Sequence, residues 1–448
     1  MHEFTEEVEE LAKAVMEYSL ERLKSNPPLD GPRSEEDLFA QLGNTITPQG
    51  LGGKATLKVF TETLALACIS TDHPRNLAFI PSAPSEYSNL FDLVVGASSL
   101  YGGSWQEGAG AVFAENQALK WLIDIAGFPQ SAGGVFVQGG TMGNLSALVV
   151  ARDQARKAHP EVKRWVIACS AESHSSITSA AHVMDVDILK VPTNTANRLD
   201  GASVGAAIDS LHATSDSRVF AIVGTAGTTN LGIVDDLATL AQCARERKIW
   251  FHVDGAYGLA GLCAPSVRHL FNGVEYADSF IVDPHKWLFA PYDACALVYR
   301  NPELARETHT QHASYLETLH DDSWSPSDYA IHLTRRVRGL PFWFSLAAHG
   351  TNAYAEAVEE GIRLAKESAK LIEAHPNLEL VYQPELSIVA FKRKGWTAEQ
   401  YQAWSDDLLE KQIGFIPPSK NRGEPILRFA FVNPWTSLDD VQMILDTL

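Results

Sequence analysis

Short apolar runs alternate with helical patterns through the middle of the sequence. The runs are GGVFVQG, RWVIACS, VFAIVGTAG, IWFHVDGA and ADSFIVD. After the first three of them, apolar residues recur at every third or fourth position, as on one face of an amphipathic helix. Strands that are apolar on both faces and alternate with helices are typical of a mostly parallel sheet with helices on both faces. The pattern therefore predicts an α/β fold whose functional groups lie beyond the carboxyl ends of the strands.

The two ends of the chain follow other patterns. At the amino terminus an apolar stripe with helical spacing predicts an amphipathic helix, formed by Phe4, Val8, Leu11, Val15 and Tyr18. SNPPLDGPR then breaks this pattern, and a glycine-rich stretch follows. After residue 345, one long helical pattern precedes short strands and helices of the kind found in a small α+β unit. We divide the chain into an N-terminal helical arm (1–85), a large domain (86–345) and a small C-terminal domain (346–448).

Composition limits the class of protein. The chain has 448 residues, of which 45% are hydrophobic, and it contains no run of the roughly 20 apolar residues that a membrane-spanning helix needs. Its net charge of −19 repels polyanions, so we expect no nucleic-acid or membrane partner. The acidic, amphipathic amino terminus resembles neither a secretory signal nor a transit peptide, and we expect a cytoplasmic protein.

The cysteines are scattered along the chain. They are Cys68, Cys169, Cys243, Cys263 and Cys295, and none of them forms a CxxC pair. This spacing indicates neither a disulfide framework nor a zinc site. We therefore expect reduced, mostly buried thiols and no bound metal.

An aspartate and a lysine follow two of the predicted strands. Asp254 ends one apolar run, and Lys286 comes shortly after the next. Taken alone, each would more often be exposed or paired with another side chain, because an unpaired buried charge is costly. Together they suit one chemistry. A lysine desolvated by Trp287, Leu288 and Phe289 has a lowered pKa and forms an imine with an aldehyde cofactor, while a carboxylate keeps the pyridine nitrogen of such a cofactor protonated.

Other turns after predicted strands add weaker signals. QGGTMGNLSAL, from Gln138 to Leu148, is a glycine-rich turn that opens a helix, and a helix amino terminus attracts anions such as phosphate. His174 in ESHSSI and the turn GTAGTT at Gly224 to Thr229 also follow strands. Many such turns bind nothing and a lone histidine is usually structural, so none of these features is decisive by itself.

Several long stretches resemble those of one family. They are HVDGAYG, RHLFNGVEYADSFIVDPHKWL, SYLETLHDDSWSPSDY and RRVRGLPFWF. Over nearly its whole length the chain resembles the group II pyridoxal-phosphate (PLP) decarboxylases of the aspartate-aminotransferase fold (fold type I), and among them most closely the aromatic-L-amino-acid decarboxylases. The resemblance implies PLP as cofactor, an amino acid as substrate, and a homodimer whose active-site pocket is built across the subunit interface.

The resemblance also implies roles for individual residues. Lys286 would hold PLP as a Schiff base, Asp254 would pair with the pyridine nitrogen, and His174 would stack on the ring. Further cofactor contacts would come from Thr225, Gly140, Thr141, Met142 and His285. Tyr315, in HASYLET, would return a proton to the substrate Cα after carbon dioxide leaves. Arg428, in ILRFAFV, would bind the substrate α-carboxylate, although an arginine in a strand could equally form a surface ion pair.

Three positions depart from the family's pattern. Met142 and Gly143 stand where relatives often carry a hydroxyl group, so we expect these positions to contact the phosphate through their backbone. Asp283 stands where animal relatives carry asparagine. Its negative charge would lie near the phosphate unless the carboxylate is turned away.

The candidate substrate pocket is aromatic and apolar. Its candidate residues by position are Phe79, Ile80, Pro81, Tyr101, Gly103 and Trp105. Such a wall favours an aromatic substrate over an acidic one, whose side-chain carboxylate would need a cation, with Arg75 as the nearby candidate. Ile80 and Gly103 are smaller than the phenylalanines of the animal enzyme, so we expect a roomier pocket that tolerates an indole ring.

Three alternatives remain open. The first is an aromatic aldehyde synthase on the same scaffold, against which the retention of Tyr315 and His174 argues. The second is a decarboxylase of an acidic or aliphatic amino acid. The third is a non-catalytic binding protein, against which the retention of Lys286 and Asp254 argues.

Overall fold

A mixed sheet of seven strands lies at the centre of the computed structural model, which describes residues 2–311 and 323–448. The strands are β1 (Gly133–Val137), β2 (Trp165–Ser170), β3 (Asp187–Val191), β4 (Arg218–Thr225), β5 (Trp250–Asp254), β6 (Ser279–Val282) and β7 (Cys295–Tyr299). Their order is β1-β7-β6-β5-β4-β2-β3, and only β7 runs against its neighbours within this sheet. The carboxyl ends of the other strands therefore meet at one edge. The predicted mostly parallel sheet is confirmed.

The N-terminal arm contains α1 (Glu6–Lys24), α2 (Glu35–Leu42) and α3 (Gly53–Val59). None of these helices carries a fully buried residue. The predicted apolar stripe of α1 meets the region of α3 only in part, through an edge-to-face contact of Tyr18 with Phe60 at 6.1 Å between ring centroids. At the end of α1, the Arg22 guanidinium donates two hydrogen bonds to Asp72, of 2.9 and 2.7 Å. Part of this apolar stripe is therefore exposed to solvent, including the side chains of Phe4 and Val8.

Helices cover both faces of the central sheet. They are α4 (Glu86–Ser98), α5 (Trp105–Ile125), α6 (Gly140–Ala158), α7 (Ser175–Met184), α8 (Gly201–Thr214), α9 (Leu237–Arg247), α10 (Pro302–His309) and α11 (Leu340–His349). Buried residues of α5, α8 and α9 pack on one face, against residues such as Ile222 and Phe251. Residues of α6, α7 and α10 pack on the other face, against residues such as Ile167 and Ile281. This arrangement agrees with strands that are apolar on both sides.

The C-terminal part forms a second, antiparallel sheet with its own helices. Its elements are α12 (Thr351–Ala374), β8 (Leu378–Tyr382), β9 (Ile388–Arg393), α13 (Ala398–Glu410), β10 (Ser419–Asn421), β11 (Glu424–Ala430) and α14 (Leu438–Leu445). The strand order is β10-β11-β9-β8. Helix α12 joins the two parts, because Tyr354 and Val358 near its start lie in the core of the large sheet while Leu364 and Ile372 lie in the core of the small one. The boundaries drawn from the sequence stay a prediction.

In residues 2–311 and 323–448, none of the helices combines the length and the apolar character needed to traverse a bilayer. The same ranges hold no cluster of three or more His, Cys, Asp or Glu side chains arranged to bind a metal ion. All five cysteines are free thiols.

A buried ion pair fixes the segment that enters α5. The Arg335 guanidinium donates two hydrogen bonds to the Glu115 carboxylate, each of 2.8 Å, and a third of 2.6 Å to the carbonyl oxygen of Gly102. The Gly339 amide donates to the same carboxylate at 2.8 Å. Both charged side chains are almost fully removed from solvent. The pair therefore holds the chain around Gly102 against the segment that follows residue 323.

We expect Glu115→Gln to lower the free energy of unfolding by about 3–5 kcal/mol, because it leaves the Arg335 charge buried without a compensating anion. The measurement is denaturant-induced unfolding. Asp124→Asn on the same helix is the matched control, since Asp124 pairs with Lys120 at the surface and an exposed pair contributes about 0–1 kcal/mol. Equal losses in the two variants would contradict the assignment.

Candidate active site

A cavity of about 430 Å³ lies beyond the carboxyl ends of β1, β2, β4, β5 and β6. Its wall includes five residues singled out by the sequence, namely His174, Thr225, Asp254, His285 and Lys286. Thr225 and Asp254 are the last residues of β4 and β5, whereas His174 and Lys286 stand in the turns that follow β2 and β6. Parallel strands bring these separate stretches of sequence to one place.

Lys286 forms an ion pair with Asp283 inside this cavity. The Lys286 Nζ lies 2.9 Å from the Asp283 Oδ2, and the Asp283 side chain is 1% exposed. Burial by itself lowers the pKa of Lys286, but the negative charges of Asp283 and Asp254 outweigh it and raise that pKa above its ordinary value. The lowered lysine pKa expected from the apolar residues after Lys286 is therefore wrong, because that argument omitted Asp283. The Asp283 carboxylate is turned toward the lysine.

Asp254 is held by two donors. Its Oδ2 accepts a hydrogen bond of 2.9 Å from the Asn144 Nδ2, and its Oδ1 accepts one of 3.2 Å from the Ala256 amide. Asn144 is 1% exposed. It lies near the start of α6, on the side of the helix that faces the sheet. Sequence reasoning missed Asn144. One signal could have identified it: an asparagine stands at a position of the amphipathic helix pattern that is expected to be buried. A buried amide needs polar partners.

His174 caps the amino terminus of α7. Its Nδ1 lies 2.9 Å from the Ser176 hydroxyl and accepts a hydrogen bond of 3.2 Å from the Ser176 amide. These contacts fix one ring nitrogen, while the ring itself lines the cavity. His285 is held by Ala294, because its Nδ1 donates a hydrogen bond of 2.8 Å to the Ala294 carbonyl oxygen.

The glycine-rich turn opens α6 without a side-chain cap. The amides of Met142 and Gly143 both donate to the Gly139 carbonyl oxygen at 3.0 Å. Within the described residues, the amides of Gly140 and Thr141 have no such acceptor and border the cavity. Backbone donors at a helix amino terminus bind anions. The amides of Gly140 and Thr141 are therefore open to an anion in the cavity, while phosphate contacts through the backbone of Met142 and Gly143 stay a prediction.

Gly143 has a different, structural reason to be glycine. A Cβ atom there would lie 2.8 Å from the Ile281 Cγ2 and 2.9 Å from the Cys295 Sγ. Such distances are too short for a side chain, so Gly143 allows α6 to pack closely on β6 and β7. The side chain of Met142 also turns away from the cavity and packs against the core beneath α6.

The candidate substrate residues separate into two groups. Phe79 and Ile80 line the cavity, whereas the other candidates, Pro81, Tyr101, Gly103 and Trp105, do not. Tyr101 and Trp105 instead contact the segment after residue 323, where the Tyr101 hydroxyl donates to the Leu333 carbonyl oxygen at 3.3 Å. A Cβ atom on Gly103 would lie 2.3 Å from that hydroxyl. Within one chain, the space beside Gly103 is thus filled by Tyr101. The larger pocket expected at this position, in a pocket built by two chains, stays a prediction.

Two arginines considered from the sequence are engaged elsewhere. Arg75 donates to the Ile413 carbonyl oxygen at 2.6 Å and pairs with Asp440, so it does not line the cavity. The Arg428 Nη1 donates to the carbonyl oxygens of Phe79 and Thr229 at 2.7 and 3.0 Å. Arg428 therefore holds Phe79 and Thr229, two residues of the cavity wall, and its contact with a substrate carboxylate stays a prediction. Tyr315 lies outside the described residues.

Comparisons with known proteins agree in the class of protein. The sequence model of one family, described as the pyridoxal-dependent decarboxylase conserved domain, matches residues 53–394. An aromatic-L-amino-acid decarboxylase of Bacillus atrophaeus is 28% identical, with 95% of this chain and 91% of that protein covered. An L-2,4-diaminobutyrate decarboxylase of Acinetobacter baumannii is 24% identical, with 92% and 86% covered. The crystal structure of Oryza sativa TDC with PLP and tryptamine has a TM-score of 0.91 at 23% identity, covers 99% of this chain and 98% of its own, and shows the same fold.

The cavity fits the functional groups of PLP, which are an aldehyde, a pyridine nitrogen and a phosphate. Lys286 supplies a primary amine, Asp254 an anionic acceptor, and the amides of Gly140 and Thr141 a site for the phosphate. The Thr225 Oγ1 is buried at the cavity without a hydrogen-bond partner among the described residues. A buried hydroxyl without a partner is costly, and a polar ligand would satisfy it.

We expect Asp283→Asn to make the Lys286 amine reactive at lower pH, because removing the neighbouring negative charge lowers the pKa of the lysine. Reductive methylation of Lys286 across a pH series, quantified by mass spectrometry after removal of the cofactor, measures this reactivity. Asp293→Asn is the control, because Asp293 lines the same cavity but pairs with Arg338. The same pH profile in Asp283→Asn and in the natural protein would refute the pairing.

Proposed function

The chain belongs to the pyridoxal-dependent decarboxylase family, and from this premise we propose that it converts an aromatic L-amino acid into its amine and carbon dioxide. Membership makes it a PLP-dependent carboxy-lyase. The observation that carries the proposal is the presence of Lys286, Asp254 and His174 at a single cavity. A non-catalytic binding protein would not need this set of an amine, a carboxylate and an imidazole.

The residues of the cavity divide the work of the reaction. Bound PLP supplies an electron sink for the pair left on Cα when carbon dioxide departs. Lys286 would hold the cofactor through its amine and displace the product, while Asp254 would keep a proton on the pyridine nitrogen. The amides of Gly140 and Thr141 would bind the phosphate, and His174 would contact the cofactor ring. Tyr315 would return the proton to Cα.

The charges of the cavity favour an uncharged aromatic side chain over an acidic one. Among the described residues that line the cavity, the basic groups are Lys286, His174 and His285, each of which has a task near the cofactor. Arg75 is engaged outside the cavity. A substrate with a second carboxylate would therefore lack a partner cation. Phe79 and Ile80 offer an apolar surface, and the smaller Ile80 suits a bulky indole ring.

The active pocket is proposed to need two copies of the chain. Tyr101, Gly103 and Trp105 lie away from the cavity of their own chain, beside the segment that follows residue 323. Apolar side chains are exposed on α1 and α4, among them Met16, Leu20 and Val94. An apolar surface of this kind is covered in an oligomer. A homodimer would bury it and bring the partner's aromatic wall to each cavity.

We expect carbon dioxide release from tryptophan, tyrosine, phenylalanine or dihydroxyphenylalanine, with formation of the matching amine, and little release from glutamate or 2,4-diaminobutyrate. Carbon dioxide capture together with chromatography of the amines measures this. Lys286→Ala should lose the activity by several orders of magnitude, while Lys163→Ala at the exposed surface should keep it. Release from acidic or aliphatic amino acids alone would overturn the aromatic assignment.

We expect Tyr315→Phe to lose amine formation and to gain aldehyde, because a proton donor to Cα is removed while carbon dioxide loss is retained. Dioxygen would then take up the electron pair left on Cα and be reduced to hydrogen peroxide, and water would release the aldehyde and ammonia. Ammonia, hydrogen peroxide and carbon dioxide are measured in parallel with the amine. A natural protein that already forms aldehyde and peroxide in proportion to carbon dioxide would instead be an aldehyde synthase. Unchanged amine yield in the variant would remove Tyr315 from the reaction.

A further inference from the structure

The side chain of Asn144 joins the two halves of the candidate site. Its Nδ2 donates a hydrogen bond of 2.9 Å to the Asp254 Oδ2 and another of 2.9 Å to the Ser176 Oγ. The Ser176 hydroxyl in turn contacts the His174 Nδ1 at 2.9 Å. Asn144 itself is buried. One amide thus lies between the carboxylate and the imidazole that were assigned to the cofactor.

The network continues away from the cavity along β5. Trp250, His252 and Asp254 alternate with Phe251 and Val253, so their side chains share the face that α6 covers. The His252 Nε2 lies 2.8 Å from the Asn144 Oδ1. The His252 Nδ1 lies 2.8 Å from the Ser279 hydroxyl on the adjacent strand β6.

The order of hydrogen bonds in this network is fixed by Asp254. Its carboxylate can only accept, so the Asn144 Nδ2 faces Asp254 and the Asn144 Oδ1, which is itself an acceptor, faces the His252 Nε2. The His252 proton is therefore on Nε2, and the His252 Nδ1 accepts from the Ser279 hydroxyl, which also accepts a hydrogen bond of 2.9 Å from the Trp250 Nε1. Burial lowers the pKa of His252 to about 4 despite the nearby Asp254, so the ring is neutral. Its Nε2–H then donates to the Asn144 Oδ1.

The directions of these hydrogen bonds also determine which nitrogen of His174 carries the proton. With its oxygen facing His252, Asn144 presents its two N–H groups to Asp254 and Ser176. The Ser176 hydroxyl, having accepted from Asn144, donates to the His174 Nδ1, and the Ser176 amide donates to the same nitrogen at 3.2 Å. The His174 proton is therefore on Nε2, the ring nitrogen that these hydrogen bonds leave over for the cavity.

We propose that Asn144 is a positioning residue that supplies the donor required by Asp254 and keeps His174 with its proton on Nε2. The inference rests on the proposed function only for the roles of Asp254 and His174. Because the amide oxygen is committed to His252, the amide cannot turn over and face Asp254 with a second acceptor. The network thus specifies a carboxylate that receives hydrogen bonds at both oxygens and an imidazole that donates into the cavity.

Asn144→Asp tests the donor to Asp254, because a carboxylate of nearly the same shape replaces the N–H groups with acceptors. The charged and titratable groups that face position 144 are Asp254 and His252 on β5 and, through the Ser176 hydroxyl, His174 in the turn before α7. At neutral pH the variant should bind PLP at least roughly tenfold more weakly than the natural protein, as for a lost hydrogen bond to a charged group. As pH falls, protonation of the new carboxyl group restores a donor, and the ratio of the two dissociation constants should return toward one.

Asn144→Leu is the matched variant without a titratable group, and its weakened PLP binding should keep the same ratio at every pH. Ser175→Ala, on the exposed side of the same turn as Ser176, should bind PLP normally. Absorption and fluorescence titrations measure the dissociation constants without substrate. Normal PLP binding by Asn144→Asp at neutral pH, or a ratio that does not respond to pH, would overturn the proposal.

The proton position is tested in the natural protein, so that a variant that fails to fold does not end the test. Nitrogen-15 NMR of histidine-labelled protein, with the His174 signal assigned through His174→Gln, should show Nε2 protonated and Nδ1 not. A proton on Nδ1 would overturn the proposed order. Neither measurement requires turnover. Failure of the proposed function would appear separately, as an absence of carbon dioxide release from any amino acid by a natural protein that binds PLP.

Discussion

Three aspartates are buried at one edge of the central sheet, and each carboxylate has to find donors there. Asp235 accepts from the amides of Thr225 and Leu199, at 2.8 Å each. Asp254 accepts from Asn144 and Ala256, and Asp283 pairs with Lys286. A buried charge without such partners costs more than most single interactions contribute. The need to satisfy these carboxylates fixes the end of β4, the start of α6 and Lys286 relative to one another.

The three carboxylates are satisfied differently, and their chemistry differs accordingly. Backbone amides do not compensate the burial of Asp235, whose pKa is raised to about 7. The Lys286 ammonium does compensate the burial of Asp283, whose pKa is lowered. One aspartate therefore holds the loop from β4 in place, whereas another holds a proton on the lysine. The two pKa shifts differ because the groups that donate hydrogen bonds to the two carboxylates differ, since both residues are aspartates.

The local pattern of apolar and polar residues predicts the helices and strands better than it predicts the direction in which each strand runs. Helices α7 and α12 coincide with the stretches SSITSAAHVM and TNAYAEAVEEGIRLAKESAKLIEA, because helical periodicity is written in consecutive residues. The direction of β7 is not encoded in CALVY, since a fully buried strand reads alike in either orientation. The partners of Asn144 on β5 lie more than 100 residues away. Long-range pairing of this kind is decided by the fold, and a single sequence does not display it.

The aromatic segment around Tyr101 shows how a residue outside the cavity can govern what enters it. Gly102 is held to Arg335 by hydrogen bonds in both directions, and Arg335 is held by Glu115. If the pocket is built by two chains as proposed, this buried pair determines where Tyr101 and Trp105 lie relative to the partner's cavity. The cofactor side of the cavity consists of polar groups that would contact the parts common to all amino acids. In the proposed dimer, discrimination among side chains would therefore depend on Phe79 and Ile80 and on this aromatic segment, whose position is fixed by the buried pair of Arg335 and Glu115.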